Sequence, residues 1–199
     1  MTAKEFPFLV PAPIAGTKII DPIKILQEVY DPQSELYKIL LLHSIDVTRL
    51  TLELADCSSL SLDKRFLFEA AMLHDIGIFL TNAPSIECQG TEPYIRHSYL
   101  GGELLRTKGL LRHALVCERH TGSGLTHDYI TQQQLPLPLQ RTYLPETTEE
   151  KLICYADKFF SKTKLGQQKT AKQARNTLAK FGADSLARFD ALHRLFGND

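Results

Sequence analysis

The spacing of apolar and polar residues along the chain predicts a series of amphipathic helices joined by loops. The longest covers residues 31–57, where apolar residues recur every three or four positions and Asp31-Pro32 offers an N-cap followed by a first-turn proline. No segment shows a β-strand alternation that would favour a sheet. The pattern therefore predicts an all-α fold, with further helices over residues 61–80, 94–107, 110–120, 126–134, 148–160, 170–181 and 184–196.

Loops and chain length set the predicted domain organisation. Residues 81–93 are rich in Asn, Pro, Ser, Gly and Thr, and residues 135–145 contain three prolines, so both are predicted to be loops. A length of 199 residues fits one domain with one sizeable core. We expect an N-terminal arm and short helix over 1–30, a helical bundle over 31–165, and a C-terminal helical pair over 166–199 packed on the same domain.

Composition narrows the class of protein. The 23 basic residues balance the 23 acidic residues, so no overall field attracts the chain to nucleic acid or to a membrane surface. The sequence has no run of about 20 apolar residues, which a membrane-spanning helix requires. The four cysteines are scattered and form no CxxC motif, which is typical of reduced thiols. We therefore expect a cytoplasmic protein that neither enters a membrane nor binds nucleic acid.

A histidine and an aspartate stand side by side within the helix predicted for residues 61–80. His74 has helical spacing with Phe66, Ala70 and Gly77, which places it on the apolar face. A carboxylate near that face, Asp75, is costly to bury without a partner. A divalent cation would satisfy both groups. A single pair has a simpler alternative, in which the histidine bonds a backbone carbonyl and the aspartate lies at the surface.

Other histidines and a second aspartate have similar surroundings. His43 interrupts the apolar stripe of residues 31–57, His120 ends a helix before a Gly-Ser-Gly loop, and Asp157 adjoins an inward face. Three or four such groups suit one metal ion, whereas six suit two ions that share a carboxylate. The absence of cysteine among them favours Mn²⁺, Fe²⁺ or Zn²⁺ over a structural zinc site or Ca²⁺. The candidate ligands are His43, His74, Asp75, His97, His120 and Asp157.

The order and spacing of these residues resemble a known family. His43, then His74-Asp75, then Asp157 is similar to the H…HD…D pattern of the HD superfamily of metal-dependent phosphohydrolases. His74-Asp75-Ile76-Gly77 spells the label of its HDIG branch, and His97 and His120 resemble the histidines of members with a second metal. The resemblance covers about residues 36–162 and includes similarity, over 143–158, to a small family within that branch. It implies a single helical HD domain.

The resemblance also implies a role for each residue. One group of four residues would hold the first metal, and Asp75 would bridge from it to a second metal. A water activated by these metals would then attack a phosphoester. The metals would be two divalent ions among Fe, Mn, Zn, Ni and Co. Asp75 is thus both ligand and catalytic residue, with Lys158 and Arg96 as candidate phosphate contacts. A solvated helix flank is the alternative for these two cations. The first group is His43, His74, Asp75 and Asp157, and the second is Asp75, His97 and His120.

One departure from the HDIG pattern limits the substrate. Ile78 follows Gly77, where many HDIG proteins carry a lysine that can reach a phosphate. No Gly-Tyr-Pro signature follows the His-Asp pair either, so the resemblance does not extend to cleavage of cyclic dinucleotides. The lysine- and arginine-rich residues 162–180 are predicted to form a solvent-facing helix surface, because the features that read nucleic acid are missing.

Two hypotheses of function remain open. In the first, the protein is a metal-dependent phosphohydrolase that acts on a nucleotide or another small phosphoester. In the second, it is a catalytically silent module that binds metal and nucleotide and signals through a partner. Complete ligand sets favour the enzyme, because a silent module has no need of all six residues. The expected partner is a small phosphorylated molecule, and the sequence is compatible with a homo-oligomer.

Overall fold

The computed structural model of the protein describes residues 6–13, 16 and 19–197, and their architecture is helical. This confirms the predicted all-α fold. Shorter 3₁₀ segments cover Ile76–Leu80, Pro84–Ile86, Tyr94–Arg96 and Ala179–Phe181. Within the described residues, no helix is both long and apolar enough to cross a bilayer. The α-helices are α1 (Pro22–Gln27), α2 (Glu35–Cys57), α3 (Lys64–Leu73), α4 (His97–Thr107), α5 (Leu111–Arg119), α6 (His127–Gln132), α7 (Thr148–Asp157), α8 (Ala171–Thr177) and α9 (Ala183–Phe196).

Helix α2 begins later than its sequence pattern predicts. The Ser34 hydroxyl accepts a hydrogen bond from the Tyr37 N–H at 3.2 Å and caps the helix. Asp31 instead holds the preceding turn, since its carboxylate accepts from the Gln33 N–H at 2.9 Å. Ser, Asp and Thr compete for such positions because each has a short side chain with an acceptor oxygen. The difference shortens the predicted helix without changing the face that it buries.

The predicted loop over residues 81–93 contains a small sheet. Strand β1 (Thr81–Ala83) lies in the middle, antiparallel to β2 (Cys88–Gln89) and parallel to β3 (Glu92–Pro93). Asn82 is in register with Gln89 on one side and with Pro93 on the other. Strands of two or three residues are too short for an alternation of polar and apolar residues to be recognised in sequence.

The main hydrophobic core lies between α2, α3 and α7. Buried residues of the C-terminal helices join the same cluster, so α8 and α9 pack against the bundle. Phe189 of α9 is 1% exposed, and its ring centroid lies 5.6 Å from that of Tyr155 in α7. A second apolar cluster joins α1 to α2, α4 and α5. The boundaries predicted at residues 30 and 165 stay a prediction, although the shared core agrees with a single domain.

Candidate metal centre

The six predicted ligands come together from five parts of the chain. The helix predicted over residues 61–80 breaks beside them, since α3 ends at Leu73 and a 3₁₀ segment starts at Ile76. Gly77 lies in this 3₁₀ segment, at a position where a Cβ atom would lie 2.3 Å from the His97 carbonyl oxygen. The backbone of α4 thus approaches this segment closely. The ligands lie within α2 (His43), directly after α3 (His74, Asp75), at the start of α4 (His97), directly after α5 (His120) and at the end of α7 (Asp157).

Three of the four histidine rings are oriented by hydrogen bonds to a backbone carbonyl three positions earlier. The Nδ1 atom of His74 lies 2.6 Å from the Ala71 carbonyl oxygen. The same bond, to the residue three positions earlier, is 2.6 Å long at His97 and 2.7 Å at His120. A carbonyl oxygen only accepts, so each Nδ1–H donates, and in the neutral form of each ring Nε2 keeps a lone pair. This is the tautomer and orientation of a histidine that binds a metal through Nε2.

Asp75 divides the cluster into two groups of ligands. Its Oδ2 atom lies 3.2 Å from Nε2 of His43 and 2.9 Å from Nε2 of His74. Its Oδ1 atom lies 3.3 Å from Nε2 of His97 and 3.5 Å from Nε2 of His120. Asp157 completes the first group, with Oδ1 at 3.1 Å from Nε2 of His43. The two oxygens of one carboxylate therefore face two different histidine pairs.

The donor atoms fit divalent cations. Nε2 of His43, Nε2 of His74 and Oδ1 of Asp75 are buried and make no hydrogen bond among the described residues. Buried polar atoms without a hydrogen bond are costly and require an explanation. Nitrogen and oxygen donors grouped within 4.8 Å of one another would satisfy that requirement by binding a metal.

Two lysines neutralise the carboxylates of the cluster. Nζ of Lys158 lies 2.6 Å from Oδ2 of Asp157 and donates to the His120 carbonyl oxygen at 2.8 Å. Nζ of Lys162 lies 2.5 Å from Oδ2 of Asp75, and its side chain is only 12% exposed. The sequence predicts Lys162 on a solvent-facing helix, but this residue belongs to the segment between α7 and α8, which turns back over the cluster. The buried Phe159 and Phe160 just before it are the signal that this segment is anchored.

Burial and charge shift the pKa values within the cluster. Burial alone would raise the pKa of Asp75, but the charges of Lys162 and His74 outweigh it and hold that pKa well below its usual range. Burial lowers the pKa of His97 to about 3 and lowers that of His120 as well. Burial also acts against a proton on His74, yet the charge of Asp75 raises its pKa to about 9. His97 and His120 are thus neutral at pH 7, in the form that binds a metal.

The two cationic residues predicted to contact phosphate have different surroundings. Lys158 lines a cavity of about 630 Å³ that opens over the cluster and is also lined by His43, His97 and His120. Arg96 is not among the lining residues. Its guanidinium pairs with Glu92 at 2.5 Å and lies over the ring of Tyr99. A phosphate contact of Arg96 therefore stays a prediction from the sequence.

Comparison with known proteins identifies the family. Residues 40–161 match the family model of the HD domain, which covers more than half of the chain and includes all six predicted ligands. The chain belongs to the HD domain family. The resemblance inferred from the His, His-Asp and Asp motifs is confirmed at this level. The HD family comprises metal-dependent phosphohydrolases, and the cluster in this member has residues suited to hold divalent metal.

Three curated proteins are similar in sequence to part of this HD domain protein. A tRNA (cytidine(56)-2′-O)-methyltransferase of Picrophilus torridus is 35% identical over 62% of the chain, but only 32% of that protein is covered. The corresponding methyltransferase of Thermoplasma volcanium is 29% identical, with 66% of the chain and 35% of that protein covered. An uncharacterized protein of Methanocaldococcus jannaschii is 36% identical over 47% of each chain. The chain thus spans about a third to a half of these relatives, and no solved structure matches it significantly.

Proposed function

We propose that this HD domain protein is a metal-dependent phosphohydrolase that cleaves a nucleotide or small phosphoester at a dinuclear site. The observation that carries the proposal is the position of Asp75. Its two oxygens face separate histidine pairs, at 2.9 to 3.5 Å. A carboxylate shared in this way is what a pair of closely spaced cations requires.

The residues of the chain have distinct tasks in such a reaction. Two divalent cations, when bound, would neutralise phosphate charge and lower the pKa of an attacking water. The four histidines and two aspartates would hold the ions. Lys158 and Lys162, the cations nearest the aspartates, would contribute positive charge toward phosphate oxygens. The surrounding buried side chains limit the access of bulk water, which strengthens each of these interactions.

A metal and substrate screen tests the proposal. Protein freed of metal would be loaded with Mn²⁺, Fe²⁺, Co²⁺, Ni²⁺ or Zn²⁺ and offered nucleoside mono-, di- and triphosphates, dinucleoside polyphosphates and simple phosphoesters. We expect phosphate release that depends on metal and is lost in His43→Ala. The matched control is His127→Ala, because His127 is an exposed histidine that does not line the cavity over the cluster. Hydrolysis that persists without metal, or that survives His43→Ala, would refute the proposal.

The relatives favour RNA as a second candidate for the ligand. Two of them are named as tRNA methyltransferases, and the region similar to this chain covers about a third of each. The composition of the present chain argued against nucleic acid, so that prediction needs a direct test. Oligoribonucleotides and a tRNA belong in the same screen. Metal-dependent cleavage of RNA, with no hydrolysis of nucleotides, would favour this candidate.

The silent metal- and nucleotide-binding module is the alternative without catalysis. It predicts tight binding of metal and nucleotide with no product under any metal. The same screen separates the two, since binding is measured by calorimetry and turnover by phosphate release. Complete metal occupancy, saturable nucleotide binding and no turnover would support the sensor over the enzyme.

A further inference from the structure

One wall of the cavity over the ligand cluster is formed by residues that come after the part of the chain matched by the HD family model. The family match ends at residue 161, and later residues line the cavity in two groups. The first, 162–164 with Lys169, lies between α7 and α8. The second, residues 177, 178, 180 and 181, comes from the end of α8 and the 3₁₀ segment after it. This wall is therefore a feature of this chain that the HD motif does not specify.

The wall makes the cavity strongly basic. Asp157 is the one acidic residue among the described residues that line it. Five lysines line the same space, and four of them come after residue 161. They are Lys158, Lys162, Lys164, Lys169 and Lys180.

Only two of the five charges are neutralised by nearby acids. Lys158 and Lys162 contact the carboxylates of the ligand cluster, as described above. Among the described residues, Lys169 donates only to backbone carbonyls, those of Lys158 at 3.2 Å and Phe160 at 3.0 Å. Lys164 and Lys180 are exposed and form no ion pair within the described part of the chain. We name Lys164, Lys169 and Lys180 the lysine wall.

We propose that the lysine wall makes this site selective for nucleotides with two or more phosphates. The inference rests on the proposed function only in placing one phosphate at the ligand cluster. The charges of that phosphate would be matched there by the metal cations that the ligand cluster would hold. Three further positive charges without acidic partners in the same cavity match further phosphate groups, because like charges left together are costly unless an anion binds.

The size and the remaining surface of the cavity agree with a nucleotide. A volume of about 630 Å³ is typical of a site for a small organic ligand and far exceeds the space that one phosphate needs. The half-buried Phe181 and Tyr94 add aromatic surface to its lining, on which a base can stack.

Binding to the metal-loaded full chain tests the inference without requiring turnover. Equilibrium dialysis would compare AMP with ADP for the wild type and for the double variant Lys164→Ala, Lys180→Ala, with the integrity of each nucleotide checked by chromatography. The matched control is Lys24→Ala, Lys172→Ala, since both of these lysines are exposed and neither lines the cavity. Both variants remove two positive charges, so they differ only in location.

We expect the wild type and the control to bind ADP more tightly than AMP. The wall variant should lose about tenfold in affinity for ADP, the effect of two solvent-screened charge contacts, and much less for AMP. Equal affinity of the wild type for AMP and ADP would overturn the inference. Retained selectivity in the wall variant, or a loss that the control shares, would overturn it too.

Two other outcomes separate this inference from related ideas. A wall variant that binds ADP normally but loses affinity for a tRNA would overturn the nucleotide assignment and favour RNA. Absence of hydrolysis refutes the proposed phosphohydrolase but leaves the binding comparison intact. Conversely, hydrolysis of AMP and ADP with equal affinity supports the phosphohydrolase and rejects the role of the wall.

Discussion

Gly77→Ala should disable the second group of ligands without touching any ligand directly. The new methyl group would lie 2.3 Å from the His97 carbonyl oxygen and 2.5 Å from the Gly101 nitrogen, whereas ordinary contact begins at 3.4 Å. Both obstacles are backbone atoms of α4, so no side chain can rotate away. The start of α4 must therefore retreat by about 1 Å, and His97 moves with it.

The size of this displacement sets the expected loss. Overpacking of this kind costs about 1–3 kcal/mol of stability, which for a chain of this length lowers Tm by about 2–4 °C per kcal/mol. A misplacement of about 1 Å can reduce turnover about 100-fold. We expect Gly77→Ala to remain folded, to keep metal at the group containing His43 and to lose it at the group containing His97.

Metal analysis, thermal melting and phosphate release on the same samples measure these effects. The matched control is Gly109→Ala, just after α4, where φ is +73° and no atom would contact the new methyl group. A side chain at such a φ costs about 1–2 kcal/mol, so the control loses comparable stability without moving α4. Two metals bound to Gly77→Ala, with wild-type turnover, would refute the argument that Gly77 sets the position of His97.

Three further predictions follow from described contacts. Asp75→Asn should lose most bound metal and all turnover while circular dichroism stays helical, and full metal content in the folded variant would contradict a bridging role. The double variant His97→Ala, His120→Ala should keep about one metal per chain, and two retained ions by elemental analysis would exclude these residues as ligands. Burial raises the pKa of Glu69, but its bonds with His113 and Arg65 together outweigh this and leave a lowered pKa. Glu69→Gln should therefore lower the free energy of unfolding by about 1–3 kcal/mol at pH 7. Urea titrations should show this difference from the wild type shrinking as pH falls below about 4, where the carboxylate takes up its proton. A difference that stays constant with pH would contradict this reasoning.

The six candidate ligands that lie together in the structure could be named from the sequence, because the family motif marks their positions. His43 and His74 are recognisable because each lies within an apolar helical stripe, where an imidazole is unusual. This recognition does not depend on the exact residue at which the helix begins or ends. The helix ends themselves were less certain, since Asp31 and Ser34 are equally able to cap α2. The all-α class depended on neither choice.

The basic wall of the cavity could not be predicted in the same way. Lys162 and Lys180 are 18 positions apart in a segment with no apolar period strong enough to fix its path. Lysine is most often exposed, so the sequence favoured a solvated surface for the whole segment. Their shared cavity depends on how the chain turns after α7, which is set by contacts between distant residues. The same reason hid the pairing of Lys162 with Asp75.

The hydrogen bonds from His74, His97 and His120 to backbone carbonyl oxygens affect which substitutions this site can accept during evolution. Many metal sites hold their histidines with carboxylate side chains, which a single mutation can remove. Here the acceptors are the main-chain carbonyl oxygens of Ala71, Tyr94 and Cys117. Every amino acid supplies such an oxygen. These hydrogen bonds therefore do not depend on which side chain stands at the acceptor position. Sequence comparisons that search for a fixed polar partner beside each histidine would overlook members of this kind.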